Sequence, residues 1–158
     1  MMIGDRPLSS AGFGPPVDAL DQVCKKYKDC IRCAQARHGE HCIGERIMYN
    51  FKLRKDNQIS CLNSADSCSR AICECDSAFA FDHKLHADVF DMKYHLFWSD
   101  FGWEPREKCS SLDGRMDIPH IESADPNCCG GQSNAATLFN PIKQDCCKNG
   151  TSVSKGQC

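Results

Sequence analysis

Apolar residues recur every three or four positions through the first third of the chain. Leu20, Val23, Tyr27, Ile31 and Ala34 form such a line, which predicts a helix starting at Pro16 or Val17 and running to Arg37. Cys24 and Cys30 fall on the same side, and Lys25, Lys28, Arg32 and Arg37 on or near the opposite one. Gly39 breaks the pattern. Ile47 to Cys61 alternates around Lys55-Asp56-Asn57-Gln58 and predicts a short hairpin. Asn63 or Ser64 then caps a second helix, Ser64 to Phe90, whose inward line is Cys68, Ile72, Cys75, Phe79 and Leu85. Residues 1–16 are rich in Gly, Pro and Ser and read as loop. From Asp91 onward the chain is first aromatic without period, Trp98 and Trp103 covering part of the core, and then turn-rich.

Composition changes the picture at one point. Fourteen of the 158 residues are cysteine, a density at which cross-links rather than core volume hold a fold together. That places the chain in an oxidising compartment. The N-terminus has no basic segment followed by an apolar run. The expectation is therefore a removed leader, a fragment, or a gene model that begins late. A net charge of −2 and a pI near 6.3 give no drive toward nucleic acid. No apolar run reaches membrane-spanning length.

Candidate chemistry concentrates in the two helices. Gly12-Phe-Gly-Pro-Pro-Val-Asp-Ala-Leu-Asp-Gln-Val-Cys-Lys-Lys-Tyr-Lys-Asp-Cys30 and Cys68-Ser-Arg-Ala-Ile-Cys-Glu-Cys-Asp-Ser-Ala-Phe-Ala-Phe81 resemble, in order, two stretches of secreted phospholipases A2. The first runs from the calcium loop into the catalytic helix, with the pattern G-x-G-x-P-x-D-x-L-D-x-C-C-x-x-H-D-x-C-Y. The second is the other long helix, C-x-x-x-x-C-x-C-D-x-x-A-A. The match covers Gly12 to Phe81. The resemblance implies a His that activates water, an Asp that helps bind calcium, and a second Asp that orients the His. Here the His position is Tyr27, the calcium Asp position is Lys28, and the orienting Asp is Asp76. The tyrosine that follows the next cysteine is Ile31.

These exchanges imply a degenerate site. A tyrosine hydroxyl, with a pKa of about 10 against about 6.5 for His, is a poor general base. A lysine ammonium offers calcium no oxygen and repels it. The calcium loop is reduced to "PLSSAGFG". Asp76 is then expected to accept a hydrogen bond from Tyr27 or to pair with Lys28. The resemblance also implies three disulfides: Cys30–Cys75, Cys42–Cys68 and Cys61–Cys73. A further family bridge has lost both ends, now Val23 and Asp82. Cys24 has lost its calcium-loop partner, and Cys33 is additional.

The tail, with Cys128-Cys129-Gly130, Phe139-Asn140-Pro141 and Cys146-Cys147 before Gly150, resembles the double-cysteine repeats of galaxin-like skeletal matrix proteins. It reads as one and a half copies of that unit. Otoconins, the matrix proteins of ear stones, are themselves phospholipase-like with degraded catalysis. The five tail cysteines 128, 129, 146, 147 and 158 leave one needing an outside partner. Cys109 is the expected one, with Cys33 and Cys24 as the alternatives.

The expected fold is mainly α and disulfide-rich. Two antiparallel, disulfide-linked helices carry a short β-wing and an irregular Cys-rich tail. Residues 1–16 are a remnant of the calcium-loop region, 17–108 the phospholipase A2-like domain, and 109–158 the tail. The function that follows is a secreted, catalytically inactive binding or extracellular-matrix module without cofactor. Its partner is an unknown extracellular protein or matrix component, or a phospholipid surface met by Lys25, Lys28 and Arg32. The alternative is a calcium-dependent phospholipase A2 cleaving the sn-2 ester. A third class, membrane-active relatives like some venom proteins with Lys at the calcium position, fits less well, since the His is also gone and the surface is not strongly basic.

Two other signals remain. Cys30, Cys33, His38 and His41 have a C-x2-C-x4-H-x2-H spacing, shorter between the pairs than zinc fingers use, and no metal site is expected there. His83 and His86 are expected to face solvent, and His95 has no evident partner. Asn149-Gly150-Thr151 is an N-glycosylation sequon.

Overall fold

Two aspartates fix where the first helix begins. The Asp18 side chain accepts from the Asp21 backbone N–H at 2.7 Å, and Asp21 Oδ2 accepts from Val17 N–H at 3.0 Å. This reciprocal cap satisfies two otherwise orphaned donors. Helix α1 therefore spans Ala19–His38 and starts beyond Pro16 and Val17, where the apolar line alone had put it. Gly39, at φ +95°, ends it. In this computed structural model the described residues are 16–94 and 127–158. Trp98, Trp103, His95, Cys109 and the 1–15 segment lie outside them.

Val23, Cys30, Ile31, Cys33 and Ala34 form the buried face of α1. Cys24 does not join it. It lies about 100° round the helix from Val23 and is exposed, contrary to the expected line.

Strands β1 (Phe51–Leu53) and β2 (Ile59–Cys61) pair antiparallel, Lys52 opposite Ser60. Asn57 takes the left-handed conformation at their turn, φ +60°, which Asn tolerates. Asn63 Oδ1 accepts from Asn50 N–H at 2.7 Å, so its side chain closes the wing instead of capping a helix. Ser67 is the cap, accepting from Arg70 N–H. Helix α2 accordingly spans Cys68–Leu85, shorter at both ends than Ser64–Phe90. Past Phe79 little of it is buried, and Leu85 is 62% exposed rather than inward. Without an apolar face to bury, helix is not sustained, and Ala87–Val89 tightens into a single 3₁₀ turn.

The helices are antiparallel. Partners ascend α1 as they descend α2: Lys26 with Asp82, Tyr27 with Asp76, Cys30 with Cys75. Disulfides Cys30–Cys75, Cys42–Cys68 and Cys61–Cys73 join the helices, the linker and the wing, with Cα separations of 5.7–5.8 Å. Among the described residues, half of the buried apolar ones are cysteines. Sulfur bridges thus occupy core volume that a larger domain fills with aliphatic side chains.

The tail forms two small hairpins. β3 (Cys128–Cys129) pairs with β4 (Thr137–Leu138), and β5 (Gln144–Cys146) with β6 (Ser152–Ser154). Cys129–Cys146 and Cys147–Cys158 tie them together. The fifth tail cysteine, Cys128, bonds Cys33 and not Cys109. The reason is placement. Ala136 and Leu138 pack on the core cluster that contains Cys33 and Ala34, so β3 arrives beside Cys33. Gly131, at φ +90°, lies under the Arg37 guanidinium, where a Cβ would come within 2.7 Å of Nη1. Among the described residues, no helix is long and apolar enough to cross a membrane.

Candidate functional site

Tyr27, on the inner edge of α1, faces Asp76 on α2. Its hydroxyl donates to Asp76 Oδ1 at 2.9 Å, and its ring packs on Phe79 with centroids 4.9 Å apart. Gly44 passes close above, where a Cβ would lie 3.2 Å from the Tyr27 oxygen. The second oxygen of Asp76 is taken as well. Tyr49, just before β1, donates its hydroxyl to Asp76 Oδ2 at 2.7 Å. A half-buried carboxylate is thus held by two phenols from two different elements.

The electrostatics follow from that arrangement. Burial, then the Asp76 charge and its hydrogen bond, push the Tyr27 hydroxyl well above its ordinary pKa. Burial and the bond to Asp76 likewise raise Tyr49 to about 12. Both phenols stay protonated at neutral pH, and each spends its proton on the carboxylate. Neither is a general base. Lys28 makes no ion pair among the described residues, and Asp76 bonds Tyr27 rather than Lys28. Burial and then the Arg32 charge lower the Lys28 pKa. Its neighbours Lys25 and Arg32 share Asp29, at 2.9 and 3.7 Å, so an acidic residue interrupts the basic stripe.

Among the described residues, Lys28 and Asp76 do not make a donor set for calcium. That ion takes six to eight oxygens. Lys28 supplies an ammonium, and both Asp76 oxygens already accept phenolic protons. Among the described residues no cluster of three or more His, Cys, Asp or Glu stands ready to hold a metal. The zinc-like spacing is also dissolved. Cys30 is bonded to Cys75 and Cys33 to Cys128, so neither supplies a thiolate. His38 Nε2 is buried without a hydrogen-bond partner, and burial with the nearby Arg37 charge lowers its pKa. His83 is exposed and stacks against Phe79, whereas His86 is partly covered.

No family model matches the chain. Individual relatives do. A basic phospholipase A2 beta-bungarotoxin A-AL3 chain of Bungarus multicinctus is 38% identical over 69 residues, which is 44% of this chain and 48% of that one. A beta-bungarotoxin A1 chain of Bungarus candidus, also named a basic phospholipase A2, is 35% identical over 71 residues, 45% of this chain and 50% of that one. Together with the helix pair and its bridges, these matches make close to half of the chain similar to phospholipase A2 chains. The chain carries a phospholipase A2-like segment.

The chain spans about half the length of the relatives it matches. Val23 and Asp82 are the positions at which the resemblance implies a lost bridge. Val23 is 2% exposed, and Asp82 meets Lys26 at 3.5 Å.

Tyr49 is the site residue that the sequence reading did not single out. It lay inside a stretch read only for alternation, and a phenol two residues ahead of a strand carries no pattern of its own. On another side of α2, a cleft of about 950 Å³ opens between the wing, the helix and the tail. Arg54, Ser60, Glu74, Phe81 and Asn134 are among its lining, and Asp76 is not.

Proposed function

We propose that this chain is a secreted, non-catalytic phospholipase A2-like module that binds an extracellular protein or matrix component. One observation carries the reading. The carboxylate that would orient a catalytic base instead accepts hydrogen bonds from Tyr27 and Tyr49, which closes the polar centre on itself. Lys28 at the metal-ligand position supports the same conclusion, as a buried-side ammonium is the wrong charge for a cation site. Six disulfides fit an oxidising, extracellular setting. The double-cysteine tail, similar to galaxin-like units, favours a matrix partner.

The relatives are named phospholipases, so calcium-dependent hydrolysis of the sn-2 ester is the rival reading. The test is calorimetric calcium titration of the oxidised full chain, alongside release of fatty acid from phospholipid vesicles. Neither binding nor turnover is expected. Calcium binding accompanied by turnover would overturn the proposal in favour of the enzyme.

A further inference from the structure

Asn149, Gly150 and Thr151 form the tip of the β5–β6 hairpin, and they are the chain's one Asn-x-Ser/Thr triplet. The loop is closed by its own backbone. Gly150 N–H donates to Cys147 O and Cys147 N–H to Thr151 O, both at 2.9 Å. Gly150 sits at φ +77°, a conformation that suits glycine. The loop docks on the β3–β4 turn through the Gly150 carbonyl, which accepts from Asn134 Nδ2 at 2.8 Å. Asn149 takes no part in that docking and is exposed.

The side chain of Asn149 is nonetheless organised. Its Oδ1 accepts from Thr151 Oγ1 at 2.7 Å and from Thr151 N–H at 3.1 Å. Two donors on one amide oxygen draw electron density from the amide and make an Nδ2 proton easier to remove. Nδ2 itself has no hydrogen-bond partner among the described residues.

We infer that Asn149 is an N-glycosylation site, receiving an oligosaccharide from a lipid-linked pyrophosphate donor. In the transfer, Nδ2 forms a bond to the sugar C1 while the bond from C1 to the pyrophosphate oxygen breaks. The lipid pyrophosphate leaves with the electron pair, and one amide proton passes to a base of the transferase. The step involves no oxidation or reduction. A sugar on Nδ2 breaks no contact of the loop, because the loop is held by backbone and by Oδ1. The inference rests on the secretory route proposed above.

The test directs the full chain into the secretory lumen of a eukaryotic cell with an added leader. The product is analysed by intact mass before and after peptide-N-glycosidase, and by non-reducing peptide mapping. Wild type is expected to lose the mass of one glycan on treatment, with Asn149 recovered as Asp. Asn149→Gln and Thr151→Ala should lack the glycan, and Thr151→Ser should keep it. A secreted chain with Cys147–Cys158 formed and Asn149 bare would overturn the glycosylation and leave the secretory reading standing. A chain retained with reduced cysteines would overturn the secretory reading and the glycosylation with it.

Discussion

Tyr27 and Asp76 join α1 to α2 through a 2.9 Å hydrogen bond set beside the Cys30–Cys75 bridge. The covalent link fixes the helix spacing, and the phenol–carboxylate contact satisfies a half-buried charge between the helices. Tyr27→Phe should cost about 1.5–3 kcal/mol, the range for a hydrogen bond to a charged group. Tyr49→Phe should cost a similar amount. The double variant should exceed the sum, since Asp76 then keeps no partner on either oxygen. Denaturant unfolding of the oxidised proteins reads all three. Strict additivity would show that the two phenols act independently of a shared carboxylate.

Alkali should loosen the same contact. The folded-state pKa of Tyr49 is raised from 10.0 to about 12, and that of Tyr27 is raised too. A raised pKa means that the fold favours the protonated form. The stabilisation is therefore whole below the unfolded value near 10 and is lost as pH climbs through the folded value near 12. Ultraviolet titration of tyrosinate should show Tyr27 and Tyr49 ionising late. In Tyr49→Phe one of those late steps should disappear.

Restoring the two exchanged residues should not restore hydrolysis. Tyr27→His with Lys28→Asp supplies a base and one carboxylate, but one carboxylate leaves calcium short of the six to eight oxygens it takes. Vesicle hydrolysis by the double variant should stay at background in millimolar calcium. Strong calcium-dependent turnover would mean that further ligands are present.

Cys24 and Cys33, the two cysteines of α1 outside the three bridges that the resemblance implies, should behave in opposite ways. Cys24 is exposed and unbonded, so Cys24→Ser should change stability by no more than about 0.5 kcal/mol. Replacing Cys33 and Cys128 together by Ala opens a link across 95 positions of sequence and should cost roughly 2–4 kcal/mol. Hydrogen exchange should then rise first in β3 and β4, which lose their anchor, while the Cys30–Cys75 region stays protected.

The helices were legible because burial and period coincide in them. Val23, Ile31, Ala34 and Ile72 are both periodic and buried. Their ends were less so, because caps compete. Asn63 and Ser64 read as caps, yet the wing takes the Asn63 side chain and Ser67, further along, caps α2. Tyr27 and Asp76 stood out through motif positions, whereas Tyr49 arrives by tertiary placement alone. The Cys33–Cys128 bond depends on β4 packing against α1 across 95 positions of sequence, and local spacing holds no record of that.

The order of the tail bridges also sets how the molecule would carry tension. A pull between the start of α1 and Cys158 passes along α1 to Cys33 and crosses to Cys128. It steps to Cys129, crosses to Cys146, steps to Cys147 and crosses to Cys158. The wing, α2 and the loops of both tail hairpins lie off that path. Stretching can unravel little beyond the part of α1 that precedes Cys33 until a sulfur–sulfur bond is cut, so from Cys33 onward the oxidised chain is a nearly inextensible link, and a reductant is what makes it elastic.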